Sequence, residues 1–303
     1  MASGGGINIR KVDSTMRAST KNAWAGIALT FPLVAGCLLF YAVPFGLVLR
    51  YSVVNGVGNS QKFVGAAHYE NIMSNGIFQM AFGNTMRFLA VALPLIIVIS
   101  YAIALLLKNQ VQRHKGLKSV ILLPYITPVV GTVLLVELLF AEAGLVNQGL
   151  YTLGLPVTQW LDSEYAFWIV VLLYLWKNTG YSVILLLAGL VTIPEDHYRA
   201  AELDGATPGQ QLRYITMPQM WYSVFFATVF SLINAFKCFR EIFLIGGTHP
   251  HTSIYMLQHF INNSFENLNY PKLAVASVLL LVVVTAVFAI LYWWVMRKEA
   301  YKA

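Results

Sequence analysis

Charge is what this chain has least of. Asp, Glu, Lys and Arg make up 11% of its 303 residues, against 58% hydrophobic. That leaves far more apolar surface than one soluble core could bury, so an integral membrane protein is expected. Cysteine is nearly absent: Cys37 and Cys238 both fall inside apolar runs, where a lone thiol behaves as a small apolar residue and no disulfide between them is expected. No G-x-x-x-x-G-K-[ST] loop occurs, so the chain cannot itself cradle the phosphates of ATP. No nucleophile and base stand in a recognisable catalytic arrangement, which argues against a membrane-embedded enzyme. The formal net charge of +7 is not gathered into one basic face, so nucleic acid is not expected as a partner. His249, His251 and His259 lack a metal-ligand spacing, and Glu137 reads as an interfacial carboxylate.

What is present is six apolar stretches, near 24–50, 84–107, 117–140, 166–191, 221–246 and 273–296. Each is long enough to span a bilayer, which takes roughly 17 to 25 helical residues. Arg10, Lys11, Arg17 and Lys21 precede the first; Lys108, Arg113, Lys115 and Lys118 divide the second from the third; Arg297, Lys298 and Lys302 follow the sixth. The segment 141–165 carries no Lys or Arg, only Glu142, Asp162 and Glu164. Excess positive charge marks the cytoplasmic side. The expected layout is therefore an all-α, multi-pass protein of a cell membrane, with a cytoplasmic tail 1–23, a transmembrane domain 24–296 bathed in lipid, and a cytoplasmic tail 297–303. The first span reads as an uncleaved anchor, since no small-residue cleavage site follows it. The segment 51–83 reads as an external loop with short helices.

One polar island interrupts the apolar run, TIPEDHYRAAELDGATPGQQLRYITMP at 192–218, and topology places it in the cytoplasm. Thr192 with Glu195 and Thr207 with Gln210 have the spacing of capping boxes, each with a proline in the first turn. Gly205 is expected to end the first helix and Pro218 the second. Two of the apolar runs are themselves interrupted, by Lys177, Asn178, Thr179 and Gly180 and by Asn234, Lys237, Arg240 and Glu241. A charge at the bilayer centre costs about 2.5–3.5 kcal/mol on insertion scales and so faces a bundle interior or an aqueous cavity. Ser231, Asn234, Cys238 and Glu241 recur on one face of a continuous helix, and Lys177, Asn178 and Tyr181 occupy about one turn. Amides, hydroxyls and an aromatic face suit a polar solute. Lys237 and Glu241, four apart, can alternatively pair with each other as a structural ion pair.

The island resembles the cytoplasmic EAA loop of binding-protein-dependent ABC importer permeases: Glu-Ala-Ala, three residues, Gly, nine residues, Ile-x-Leu-Pro. Here the positions read Arg199, Ala200, Ala201, Gly205, Ile215, Met217 and Pro218, with Arg199 in place of the glutamate. Phe63-Val64-Gly65 with Tyr69, Asn84-Thr85, Leu123-Pro124-Tyr125, Gly144-Leu145-Val146-Asn147 and Gly246-Gly247 with Pro250 and Thr252 are similar to elements of the carbohydrate branch, and of its maltose F-type half. The resemblance implies an ABC importer type I permease fold and a sugar or oligosaccharide cargo, with a polyamine or glycerol phosphate as alternatives and a stand-alone secondary transporter as the rival class. It implies a second, G-type permease, two ABC ATPase subunits that bind ATP and Mg, and an extracytoplasmic solute-binding protein. It assigns coupling to Arg199, Ala200, Ala201, Glu202, Asp204 and Gly205. It assigns the solute pathway to Lys177, Asn178, Tyr181, Ser231, Asn234 and Cys238, beside which Lys237 and Glu241 stand as candidates. No cofactor is implied for this chain itself.

Overall fold

The computed structural model describes residues 26–56, 61–113 and 116–299. The tail bearing Arg10, Lys11, Arg17 and Lys21 lies outside these residues, as do Lys115 and Lys302. Helix dominates because a chain in hydrocarbon must satisfy every backbone polar group internally. The only strands described are a two-residue antiparallel pair, Val54–Asn55 (β1) with Lys62–Phe63 (β2).

Helix α1 (Gly26–Val53) passes through a π turn at Leu38–Ala42 just before Pro44, a residue without an N–H to donate. The loop that follows holds β1, β2 and α2 (Ala67–Met73). Helix α3 (Gly76–Arg113) starts two turns earlier than the apolar run, because Asn75 accepts from the Phe78 N–H through Oδ1 at 3.0 Å and so caps it. The third apolar stretch is broken: α4 (Gly116–Ile126) stops before Pro128, and α5 (Val129–Phe140) starts after it. By length and composition the spanning run here is Val129–Thr152, which takes in the short α6 (Leu145–Thr152).

Helix α7 (Tyr165–Val191) is the most buried of the six candidate spans and stays unbroken through Lys177–Gly180. Phe167, Val170 and Tyr174 on α7 pack against Phe88, Ala92 and Ile96 of α3 and Leu232 and Ala235 of α10 (Trp221–Lys237). A second cluster lies along the lower half of α7, with Val183, Leu186 and Leu190 against Ala104, Met220 and Ala227. Large side chains such as Phe31, Leu134, Phe226 and Ile290 point outward, as expected where the solvent is lipid. Beyond α10 come α11 (Phe239–Gly246), a 3-10 turn Thr252–Ile254, α12 (Leu257–Glu266) and α13 (Tyr270–Glu299).

Side-chain contacts sort the helix ends. At one end Lys108 Nζ lies 4.1 Å from the ring centre of Tyr198, and Trp221 meets Trp294 edge to face. Arg297 sits over Trp293 nearby in sequence. At the other end Asn84 donates to the Thr252 and Tyr255 carbonyls at 2.6 and 3.0 Å, and Thr85 accepts from the Leu257 N–H at 2.9 Å. The polar segment 192–220 thus shares its end with Lys108 and Arg297, and the segment 247–269 caps the opposite one.

Candidate functional site

The polar interruptions of α7 and of the α10–α11 segment meet. Lys177 and Asn178 from α7 line a cavity of ≈ 160 Å³ with Asn234, Lys237, Cys238, Arg240 and Glu241. Tyr125, Val129, Leu173 and Tyr174 complete its wall. The helix breaks at Cys238, which caps both α10 and α11. The carbonyl of Phe236 at this break accepts from Gln258 Nε2 of α12 at 3.0 Å.

The ion pair at the cavity joins two helices. Lys237 and Glu241 would be neighbours on a continuous helix, but no ion pair between them forms. Instead Glu241 Oε1 accepts from Lys177 Nζ at 2.5 Å across the helix interface. Glu241 is 4% exposed, and its Oε2 is buried without a hydrogen-bond partner. A carboxylate this deep depends on its cation, because an unpaired buried charge is far costlier than a buried pair.

Asn178 donates Nδ2 to the Tyr174 carbonyl at 2.9 Å. Asn234, also buried, makes no side-chain hydrogen bond among the described residues and keeps its amide for the cavity. Tyr181 and Ser231 do not line the cavity. Tyr181 stacks on Tyr125 with ring centres 4.7 Å apart, so it backs the wall. Ser231 joins the helices: its Oγ lies 3.1 Å from Ser182 Oγ, and its carbonyl accepts from Tyr174 OH at 2.7 Å. Sequence reasoning did not assign Tyr125, Val129, Leu173, Tyr174 or Arg240 to the lining, although Arg240 stands in plain view among the charges interrupting the fifth apolar run.

In the polar segment, α8 is Glu195–Leu203, and Gly205 turns the chain with φ +80, a region open chiefly to glycine. The Thr207–Gln210 capping box forms in both directions and opens α9 (Pro208–Gln211). Two expectations fail here. Thr192 ends α7, donating to the Gly189 carbonyl at 2.7 Å, while Pro194 takes the N-cap position of α8. Pro218 does not end the second helix: a π turn, Leu212–Thr216, runs into the final turn Met217–Gln219, where Pro218 is tolerated near the start.

Arg199 does not pair with Glu202. It reaches back one turn to Glu195 at 3.0 Å and lies 3.9 Å from Asp196. All three side chains are largely exposed, so these contacts contribute little to stability. The segment is tied down instead by buried Ile193, by Tyr198 OH at 2.9 Å from Thr216 Oγ1, and by Gln219 Nε2 at 3.1 Å from His197 Nδ1. Its tip presents Arg199, Ala200, Glu202, Asp204 and Gly205, with Ala201 half-buried. It also presents Leu203, 89% exposed, the most exposed large apolar side chain described. Its signal in the sequence was one leucine between Glu202 and Asp204.

The histidines of the segment 247–269 make local hydrogen bonds. His251 Nδ1 accepts from the Ser253 N–H at 3.3 Å and His259 Nδ1 from the Met256 N–H at 3.1 Å. Thr248 Oγ1 lies 3.0 Å from His249 Nδ1.

Helices long and apolar enough to cross a membrane, a polar cavity between two of them and a docked helical segment at one end define a multi-pass transport protein. Residues 96–299 match the binding-protein-dependent transport system inner membrane component family, and the chain belongs to it. It is 28% identical to the lactose transport system permease protein LacF of Rhizobium radiobacter, over 94% of this chain and 99% of that protein. It is 28% identical to the trehalose/maltose transport system permease protein MalF of Thermococcus litoralis, over 92% and 95%. The sn-glycerol-3-phosphate transport system permease protein UgpA of Yersinia pestis is 27% identical over 95% and 100%. Its fold is that of a crystallised bacterial ABC transporter involved in the import of the acidic polysaccharide alginate, with TM-score 0.77 and 21% identity over 93% of this chain and 99% of that one. The chain is therefore the membrane-embedded permease subunit of an ABC importer.

Proposed function

We propose that this subunit passes a sugar or sugar derivative from an extracytoplasmic binding protein to the cytoplasm through the cavity at Lys177, Asn178 and Asn234. ATP with Mg is hydrolysed on two partner subunits that grip the segment 192–220, and a second permease of the G type closes the other side of the route. The observation that carries this reading is the meeting of the polar stretches of α7 and α10–α11 in one cavity, in a chain whose relatives are permeases for lactose, trehalose/maltose and glycerol phosphate. The end bearing Lys108, Arg297 and the segment 192–220 is cytoplasmic by the excess of positive charge. In place of the run Val129–Thr152 chosen by length and composition, the third crossing is α4 followed by α5, interrupted at Pro128, since Lys118 at the start of α4 puts that end on the side of Lys108. At the tip of the segment, Leu203 is the apolar anchor for the ATPase, and Ala200, Ala201 and Gly205 permit close approach. Arg199, Glu202 and Asp204 set the polar register.

Replacing Gly205 tests the coupling. Proline holds φ near −65°, whereas this position requires +80. Gly205→Pro should insert into the membrane at normal levels and lose ATP-driven uptake together with copurification of the ATPase. Normal uptake by this variant would remove the coupling role.

A further inference from the structure

The charges around the cavity do not balance. Lys177, Lys237 and Arg240 face it against the single carboxylate of Glu241. Lys177 is spoken for, bonded to Glu241 at 2.5 Å. Lys237 and Arg240 are exposed, and neither has a carboxylate partner among the described residues. Both lie within the apolar run Trp221–Gly246, where a cation facing lipid costs about 2.5–3.5 kcal/mol. They stand on either side of the break at Cys238, one closing α10 and the other in the first turn of α11. An anion in the cavity would meet an ammonium and a guanidinium together, and the guanidinium fork matches the two oxygens of a carboxylate or phosphate.

We propose that the solute carried by this permease is an anionic sugar, bearing a carboxylate or a phosphate held by Lys237 and Arg240. The proposal rests on the cavity being part of the translocation route. The rest of the wall suits the uncharged parts of such a solute. The amide of Asn234, which makes no side-chain hydrogen bond among the described residues, can donate to or accept from a hydroxyl. The Tyr125 ring, backed by Tyr181, offers an apolar face. A polyamine is excluded by the same count, since it would add positive charge beside two unneutralised cations. A neutral sugar would leave both of them without a counter-charge.

The test uses the assembled transporter, coexpressed with its partner subunits and binding protein and reconstituted in liposomes. Four labelled probes are compared: a hexuronate trisaccharide, a hexose phosphate, a neutral trisaccharide and spermidine. Uptake of an anionic probe should exceed that of the neutral one by about tenfold or more, the size of a lost charge-assisted contact. Whichever anionic arm responds identifies the carboxylate or the phosphate. Lys237→Gln with Arg240→Gln should collapse that preference, lowering anionic uptake about tenfold relative to neutral uptake. Copurification of the partners serves as the folding control. Neutral or spermidine uptake equal to or above both anions overturns the charge assignment and leaves the transport reading intact. Equal loss of all probes in the double variant also overturns it, since the cations would then be serving the assembly. Uptake of none by a complex that hydrolyses ATP overturns the transport reading with it.

Discussion

The backbone of α4 comes close to α7 at Gly180, and adding one carbon there should disturb both the stability of the bundle and the shape of the cavity. A Cβ at this position would lie 1.9 Å from the Ile121 carbonyl oxygen and 2.9 Å from its carbon. Close C···O contacts run to about 3.3 Å, so the two helices would have to part by about 1.4 Å. The obstacle is backbone in the middle of a helix, which cannot swing aside as a side chain does. Overpacking of this kind costs about 1–3 kcal/mol. The movement would also carry Tyr125, one turn beyond Ile121, away from Tyr181 and so deform the cavity wall. The assay is thermal melting of the purified complex followed by tryptophan fluorescence, with uptake measured in parallel. Gly180→Ala should lower both. Gly149→Ala is the control: its added carbon meets nothing within 4 Å in the exposed helix α6, so it should melt with the wild type or slightly above it. If Gly180→Ala also melts with the wild type, the close-approach reasoning is wrong.

Three further outcomes are expected. Glu241→Gln leaves the half-buried Lys177 without its carboxylate and should destabilise by about 3 kcal/mol, while Lys177→Met combined with Glu241→Leu should melt close to the wild type yet transport poorly; a single variant as stable as the double would show that the pair is not buried in the assembly. Asn178→Ala with Asn234→Ala should cut uptake about tenfold or more while partners still copurify, and unchanged uptake would take these amides out of the route. His259 is fully buried, and burial, with His249 adding, holds its pKa down to about 4 against the usual 6.5. The folded state therefore disfavours the proton. The stability this contributes is fully present above about pH 6.5 and is lost as pH falls toward about 4, roughly 3 kcal/mol in all. Melting temperature against pH should show that slope, and His259→Gln should flatten it; an unchanged slope in the variant would assign the titration elsewhere.

Long apolar runs with few charges are legible in a sequence because bilayer thickness fixes the length of a span. Four of the apolar runs coincide to within a few residues with helices long and apolar enough to span; the other two depart where the signal is not hydropathy, as Asn75 caps α3 ahead of its run and Pro128 divides the third. The turn at Gly205 was legible for a local reason, since its positive φ is a property of one residue. The Thr207–Gln210 box was legible on similar terms, its two partners lying on one short stretch. The same spacing misled at Thr192 because α7 extends through Val191 and claims that hydroxyl first.

The ion pair at the cavity could not be read locally at all. Helical spacing offered Lys237 to Glu241, whereas the structure pairs Glu241 with Lys177 on another helix. Nothing within residues 234–241 announces the break at Cys238, because the Phe236 carbonyl at it is satisfied by Gln258, on a helix at the far end of the bundle. That outer helix is in turn held to α3 by Thr85. The partner of Glu241 is thus a tertiary contact: Gln258 holds the Phe236 carbonyl where α10 gives way to α11, and Glu241 lies against Lys177 of α7. A sequence pattern can nominate the charges that enter a cavity, but which two neutralise each other, and which two remain to meet a solute, follows only from how the helices pack.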